Sequence, residues 1–144
     1  MQAIQPKAVI FVQFHITEDS AQPIYIQLAQ QIIIGVATGE LHPGEQLPAT
    51  RILGTSLNID PMTVSKCYQL LKTDGYVEGD RHRGTRISTQ LPITTDEIIT
   101  PELTVALAKG LLQGLTIRQL QDLCQQILLH FHPLPQSTPK MPQS

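Results

Sequence analysis

Only three residues, Asn58-Ile59-Asp60, separate two stretches of helical periodicity, and that short interval limits the chain more than any other feature. Upstream, Leu47-Pro48 is an extended step into a short helix from about Thr50 to Leu57. Asn58 suits a chain reversal because it tolerates positive φ. Downstream, Asp60 can cap and Pro61 can open a helix that runs to about Thr73 and is closed by Gly75. Its apolar positions Val64, Cys67, Tyr68, Leu70 and Leu71 recur at i, i+3, i+4 and i+7. Two helices joined by a three-residue turn form a helix-turn-helix. Tyr76-Val77-Glu78 and Thr85-Arg86-Ile87-Ser88 then read as strands flanking Gly79-Asp80-Arg81-His82-Arg83-Gly84, a basic hairpin in the position of a wing.

The flanking regions fit around this centre. Residues 1–22 form a lead-in, with β-branched and aromatic residues from Val9 to Ile16 predicting a strand. Pro23 opens a first helix over roughly 23–38, with Ile24, Leu28, Ile32, Ile33 and Val36 at helical spacing and Gly39 as its stop. The winged helix-turn-helix therefore occupies residues 23–90. Residues 91–132 carry two amphipathic helices. One starts at Thr100-Pro101-Glu102 with the stripe Leu103, Leu107, Leu111 and Leu112. The other is capped by Thr116 with Gln119 and carries Leu120, Leu123, Cys124, Ile127, Leu128 and Phe131. Two helices of this length cannot bury both stripes in each other, so they need another surface, most simply a second copy. Residues 133–144, with four prolines among Gln, Ser and Thr, predict a disordered tail. The fold class is α+β and mainly helical: a winged helix-turn-helix followed by a short two-helix dimerisation region.

The 144 residues carry a net charge of −2, which hides an uneven distribution. Six of the ten Lys and Arg fall between Arg51 and Arg86, so local charge says more than global charge. The two cysteines, Cys67 and Cys124, lack a second Cys or His at ligand spacing, and Cys67 lies on an apolar stripe, where burial outweighs a redox role. His130 and His132 sit at a helix end without nearby carboxylates or thiols. No metal or cofactor is expected, and no nucleophile-base pair, paired carboxylate or phosphate loop occurs at a usable spacing, which argues against an enzyme. No apolar run approaches the roughly 20 residues that span a bilayer, and a reduced cytoplasmic location is the economical expectation.

Pro23-Ile24-Tyr25-Ile26-Gln27-Leu28 and the run from Gly39 to Pro48 closely resemble the GntR family of bacterial transcriptional regulators. Arg51, Thr63-Val64 and Gly75-Tyr76-Val77 stand where that family has its helix-two arginine, its recognition-helix Thr-Val and its exit into the wing. Asp60-Pro61-Met62-Thr63-Val64 and the short helical C-terminus look most like the YtrA-type subfamily. The resemblance implies a homodimer that binds a (pseudo)palindromic double-stranded DNA operator as a repressor, often of transporter operons. A small-molecule effector is allowed by the family, but so short a C-terminal region offers no evident pocket. Residues at four positions depart from the family pattern. Ala49 replaces a Ser, losing a cap, and Gly54 replaces a common Ala. His82 replaces the first wing Gly and Arg86 replaces a Phe, which predicts a looser and more basic wing.

A DNA reader needs donors for phosphates and a projecting element for base edges. The candidate DNA contacts are Thr50 and Arg51 at the start of helix two, and Met62, Thr63 and Lys66 on the recognition helix. Arg81, Arg83 and Gly84 of the wing complete the set. Arg51 can engage guanine bidentately, Met62 can touch a thymine methyl, and Lys66 can reach phosphate. The plainer alternatives are a solvated helix arginine for Arg51 and an exposed hairpin tip for Arg81 and Arg83. Lys72 is expected only to complement the helix dipole. Leu107, Leu111, Leu120, Leu123 and Ile127 are the candidate dimer-seam residues. A rival reading makes the winged helix a protein-interaction scaffold with little direct DNA binding, an idea favoured by the low overall basicity.

Overall fold

The computed structural model describes residues 14–80 and 82–131. Among the described residues, five helices and one hairpin follow in the order α1 (Ile24–Ala37), α2 (Thr50–Leu57), α3 (Pro61–Thr73), β1 (Val77–Asp80), β2 (Gly84–Ile87), α4 (Asp96–Leu112) and α5 (Ile117–Leu129). The described residues fall into two compact units, divided between Pro92 and Ile93.

In the first unit α1 and α2 both pack on α3. The apolar faces anticipated from periodicity meet there: Leu28 and Ile32 of α1, Leu53 of α2, and Val64, Cys67 and Leu71 of α3 are almost completely shielded from water. Leu41 and Ile87 close the core from the loop and the wing. Each such side chain contributes about 1.5–3 kcal/mol by leaving water, which holds α3 against its two supports.

The α2–α3 turn follows from two residues. Asn58 adopts the left-handed conformation (φ 55°, ψ 48°), and the Ile59 and Asn58 amides donate back to the carbonyls of Gly54 (2.8 Å) and Thr55 (3.3 Å). That satisfies carbonyls at the end of α2 which would otherwise lack partners. Gly54 costs helix propensity yet is required by packing: a Cβ there would stand 2.7 Å from the Ile59 carbonyl oxygen.

The wing is an antiparallel pair, Val77 to Ile87 and Asp80 to Gly84 marking its two ends. The strands run nearer the tip than the sequence suggests, because Asp80 and Gly84 remain paired. The free edge of β2 is covered by the loop between α1 and α2. Gly44 donates to Ile87, Ile87 to Glu45 and Leu47 to Thr85, each at 2.8 Å, and Gln46 bridges Arg86. Sequence reading leaves this segment as a turn, since Pro43-Gly44 and Pro48 confine it to a few residues.

The lead-in differs from expectation. Residues 9–13 of the predicted strand lie outside the described residues, and Phe14 to Ile16 form no strand. Two α1 glutamines one turn apart hold this stretch by its backbone. Gln31 accepts from the His15 amide (2.7 Å) and donates to its carbonyl (2.6 Å). Buried Gln27 does the same at Thr17 (3.0 Å each) and also donates to the Gln22 carbonyl.

In the second unit, α4 begins at Asp96 rather than Thr100, so Pro101 lies inside it. The Ile98 and Ile99 amides both donate to the Thr95 carbonyl, and Asp96 and Glu97 complement the positive helix end. The turn before Pro101 is therefore anchored despite the missing amide. Thr116 and Gln119 form the reciprocal capping box at the start of α5. Gly110 allows Leu120 to pack on α4, where a Cβ would come within 2.8 Å of a Leu120 methyl. The tail from residue 133 and His132 lie outside the described residues.

Candidate nucleic-acid interface

The first turn of α3 projects because its cap is internal. The Asp60 carboxylate accepts from the Met62 amide at 2.7 Å, so this acid is engaged rather than facing a phosphate. Met62 is 69% exposed, Thr63 is half-buried, and Lys66 is exposed with its ammonium 5.8 Å from the centre of the Tyr25 ring. Thr50 and Arg51 open α2, where Ala49 provides no side-chain cap. Arg51 is exposed and has no acidic partner within ion-pair distance among the described residues.

A residue the sequence reading treats only as core adds a hydrogen bond between α3 and the chain leading into α2. The Tyr68 hydroxyl donates to the Pro48 carbonyl at 2.7 Å from a buried position. It pins the chain two residues before Thr50 to the middle of the recognition helix. Next to it Cys67 is buried, which pushes its thiol up to about 12 and makes it a poor redox sensor. Burial raises the Tyr68 phenol as well.

The wing is tighter than its departures from the family pattern suggest. One Asp80 carboxylate oxygen accepts from the amides of His82 (2.8 Å) and Arg83 (2.6 Å), which replaces the conformational freedom of the missing glycine by a side-chain clamp. Gly84 turns the chain at φ 74°. Gly79 is obligatory, since a Cβ there would fall 2.0 Å from the Gly84 carbonyl oxygen. His82 and Arg83 are exposed at the tip, and the Gln46 side chain donates to the Arg83 carbonyl. Arg81 lies outside the described residues. Arg86 adds no free charge, because its guanidinium meets Glu78 across the hairpin at 2.9 Å.

Between α3 and the wing runs an open groove of about 450 Å³, lined by Thr50, Ser65, Gln69, Lys72, Glu78 and Asp80 among others. Lys72 donates to the Gly79 carbonyl at 3.2 Å, so it ties α3 to the wing in addition to lying in the last turn of its helix. Ser65, Gln69 and Lys72 share a helix face that periodicity marks only as polar.

The second unit carries an apolar face. Of its large apolar side chains only Leu120 is buried, whereas Leu107, Leu111, Leu123 and Ile127 are each a third to a half exposed. Leu107, Leu111 and Leu120 join Ile117, Cys124 and Leu128 around an open groove of about 570 Å³.

Comparison with known proteins decides the family. Residues 24–87, spanning α1 to the end of β2, match the model for bacterial regulatory proteins of the gntR family. The chain is 32% identical over 104 residues to the uncharacterised HTH-type transcriptional regulator YhcF of Bacillus subtilis, covering 72% of this chain and 80% of that protein. The chain belongs to the GntR family. Within it the YtrA-like subfamily is favoured. The HTH-type transcriptional repressor YtrA of Bacillus subtilis is 41% identical over 78 residues, or 54% of this chain and 60% of that protein. The GntR-family transcription factor YtrA from Sulfolobus acidocaldarius superimposes with a TM-score of 0.55 at 33% identity, covering 66% of this chain and 97% of that one. The chain is thus a GntR-family DNA-binding transcriptional regulator rather than an enzyme. Among the described residues no helix is long and apolar enough to cross a membrane, and no group of three or more His, Cys, Asp or Glu is placed to hold a metal ion.

Proposed function

We propose that this GntR regulator is a homodimeric repressor that binds a (pseudo)palindromic operator through two copies of α3. Residues 23–90 serve as the DNA-binding domain, and residues 91–132 of both chains form the dimer interface. The apolar face left open on the α4–α5 pair carries the dimer reading, with Leu107, Leu111, Leu120, Leu123 and Ile127 at the seam. Two-fold symmetry then requires half-sites about one helical turn apart, or a multiple of it. The similarity to a protein named as a repressor favours repression over activation.

Thr50, Arg51, Met62, Thr63 and Lys66 contact the major-groove side, Arg51 as the base reader and Lys66 at phosphate. Arg81, Arg83 and Gly84 approach the minor groove from the wing. The regulated unit is a transporter operon, and the protein acts in the cytoplasm. Any effector would act at this DNA-binding equilibrium.

The test is a fluorescence anisotropy titration of the protein against its gene's own upstream region and against a scrambled duplex, at two salt concentrations. Tighter binding to the upstream region, weakening steeply with salt, is the expected result. Equal and weak binding to both duplexes would contradict operator recognition and return the winged helix to a scaffold role.

A further inference from the structure

Resting on the homodimer reading above, we propose that α4 has a second association face, through which two dimers join by packing α4 antiparallel against α4 of another dimer. The helix is apolar on several sides yet has no buried residue, a pattern that suits a helix covered on more than one side. One side is the seam already described, where Gly110, Leu107 and Leu111 face α5. The other is formed by Ile98, Pro101, Val105, Ala108 and Leu112, whose alternating steps of three and four residues are the spacing of a coiled-coil seam. This stripe lies roughly 140° around α4 from the first, so a copy seated on the α4–α5 groove leaves it uncovered. Ile98, Val105 and Leu112 are 59%, 54% and 87% exposed.

Charge identifies the occupant. Glu102 and Lys109 border the same edge of the stripe and both are exposed. Neither has an opposite charge three or four residues away on α4, and neither forms an ion pair among the described residues. When two such stripes pack antiparallel about a two-fold axis, Val105 of one copy faces Ala108 of the other and Leu112 faces Pro101, bulky against small. The same register brings Glu102 of each copy beside Lys109 of the other, so the surface is complementary to itself. A parallel pairing would instead bring Glu97 toward Glu102. A single contact of this length is too small to hold two monomers together. Two dimers arranged with dihedral symmetry share two such contacts, and together these sustain a tetramer that one alone does not. A tetramer has four copies of α3 and so serves two operators.

Sedimentation velocity and native mass spectrometry of the full chain test this. Wild type should pass from dimer to tetramer as concentration rises, and Val105→Glu should stay dimeric. Glu102→Lys and Lys109→Glu each set like charges against each other and should raise the concentration for half-assembly by roughly tenfold or more. Mixing these two variants, one of them isotope-labelled, should restore tetramers that contain both chains, because every Lys at the contact then meets a Glu. Circular dichroism shows that each variant keeps its helices. Wild type that is dimeric at every concentration, or mixed variants that assemble no better than either alone, overturns the α4 pairing and leaves the dimer reading intact. A monomeric wild type overturns both.

Discussion

Single side chains determine how α2 and α3 present themselves to a duplex. Arg51 is exposed and has no ion-pair partner among the described residues, so Arg51→Ala should leave the thermal midpoint unchanged, cost about 1–3 kcal/mol of operator binding and relax preference at one base position. Full operator affinity in that variant would remove Arg51 from the interface. Tyr68 works the other way. Tyr68→Phe leaves the Pro48 carbonyl without its buried donor and should cost about 1–3 kcal/mol of folding stability in a denaturant titration, with only a secondary effect on DNA. Cys67 gives a pH prediction. Its neutral thiol is favoured by the fold, so its contribution to stability is complete below the thiol's ordinary value of 9.0 and is lost as pH rises toward about 12. Native protein at pH 8 should show no alkylation at Cys67 by mass spectrometry until it is unfolded. Sequence alone foretold this burial from the stripe containing Val64 and Leu71. It placed Lys72 in the last turn of its helix but not its bond to the Gly79 carbonyl, because that partner belongs to a strand folded back from several residues on, which helical periodicity does not encode.

At the scale of elements, α2 and α3 were legible because each boundary is chemically marked. Asn58 supplies the left-handed residue, Asp60 the cap and Pro61 the first turn. The capping box of α5 was legible for the same reason. Where a signal had two meanings, the sequence misled. Pro101 reads as a helix start, yet α4 begins a turn earlier because Thr95 and the acidic first turn already organise it. The edge segment around Gln46 was hidden, since its bonds go to β2 across about 40 residues of chain. His82 pointed to a looser wing, but Asp80 closes it by a clamp that composition cannot reveal. Two changes test these elements. Ala49→Ser should restore a cap on α2 and add about 0.5–1 kcal/mol of stability. A thermal midpoint no higher than wild type would mean that the serine hydroxyl does not reach the α2 amides. Gly79→Ala should dismantle the hairpin and weaken DNA binding while helical circular dichroism persists, because its Cβ has no space beside Gly84. An unaltered affinity would place the wing away from DNA.

For the molecule as a whole, the chemistry divides along the chain. The first unit holds a closed apolar core and most of the basic residues, whereas the second exposes leucines that a single copy leaves in water. Large apolar patches of this kind mark association surfaces. Leu123→Glu should therefore give a monomer by sedimentation equilibrium, with each winged helix still folded but operator affinity sharply reduced. A Leu123→Glu protein that remained dimeric would displace the seam from α5. The most direct test of a paired reader is selection of bound duplexes from a random-sequence pool by wild-type protein, followed by sequencing. The account predicts enrichment of inverted repeats whose half-site centres lie about one helical turn apart, or a multiple of it. Enrichment of a single unrepeated site, or of none, would contradict it.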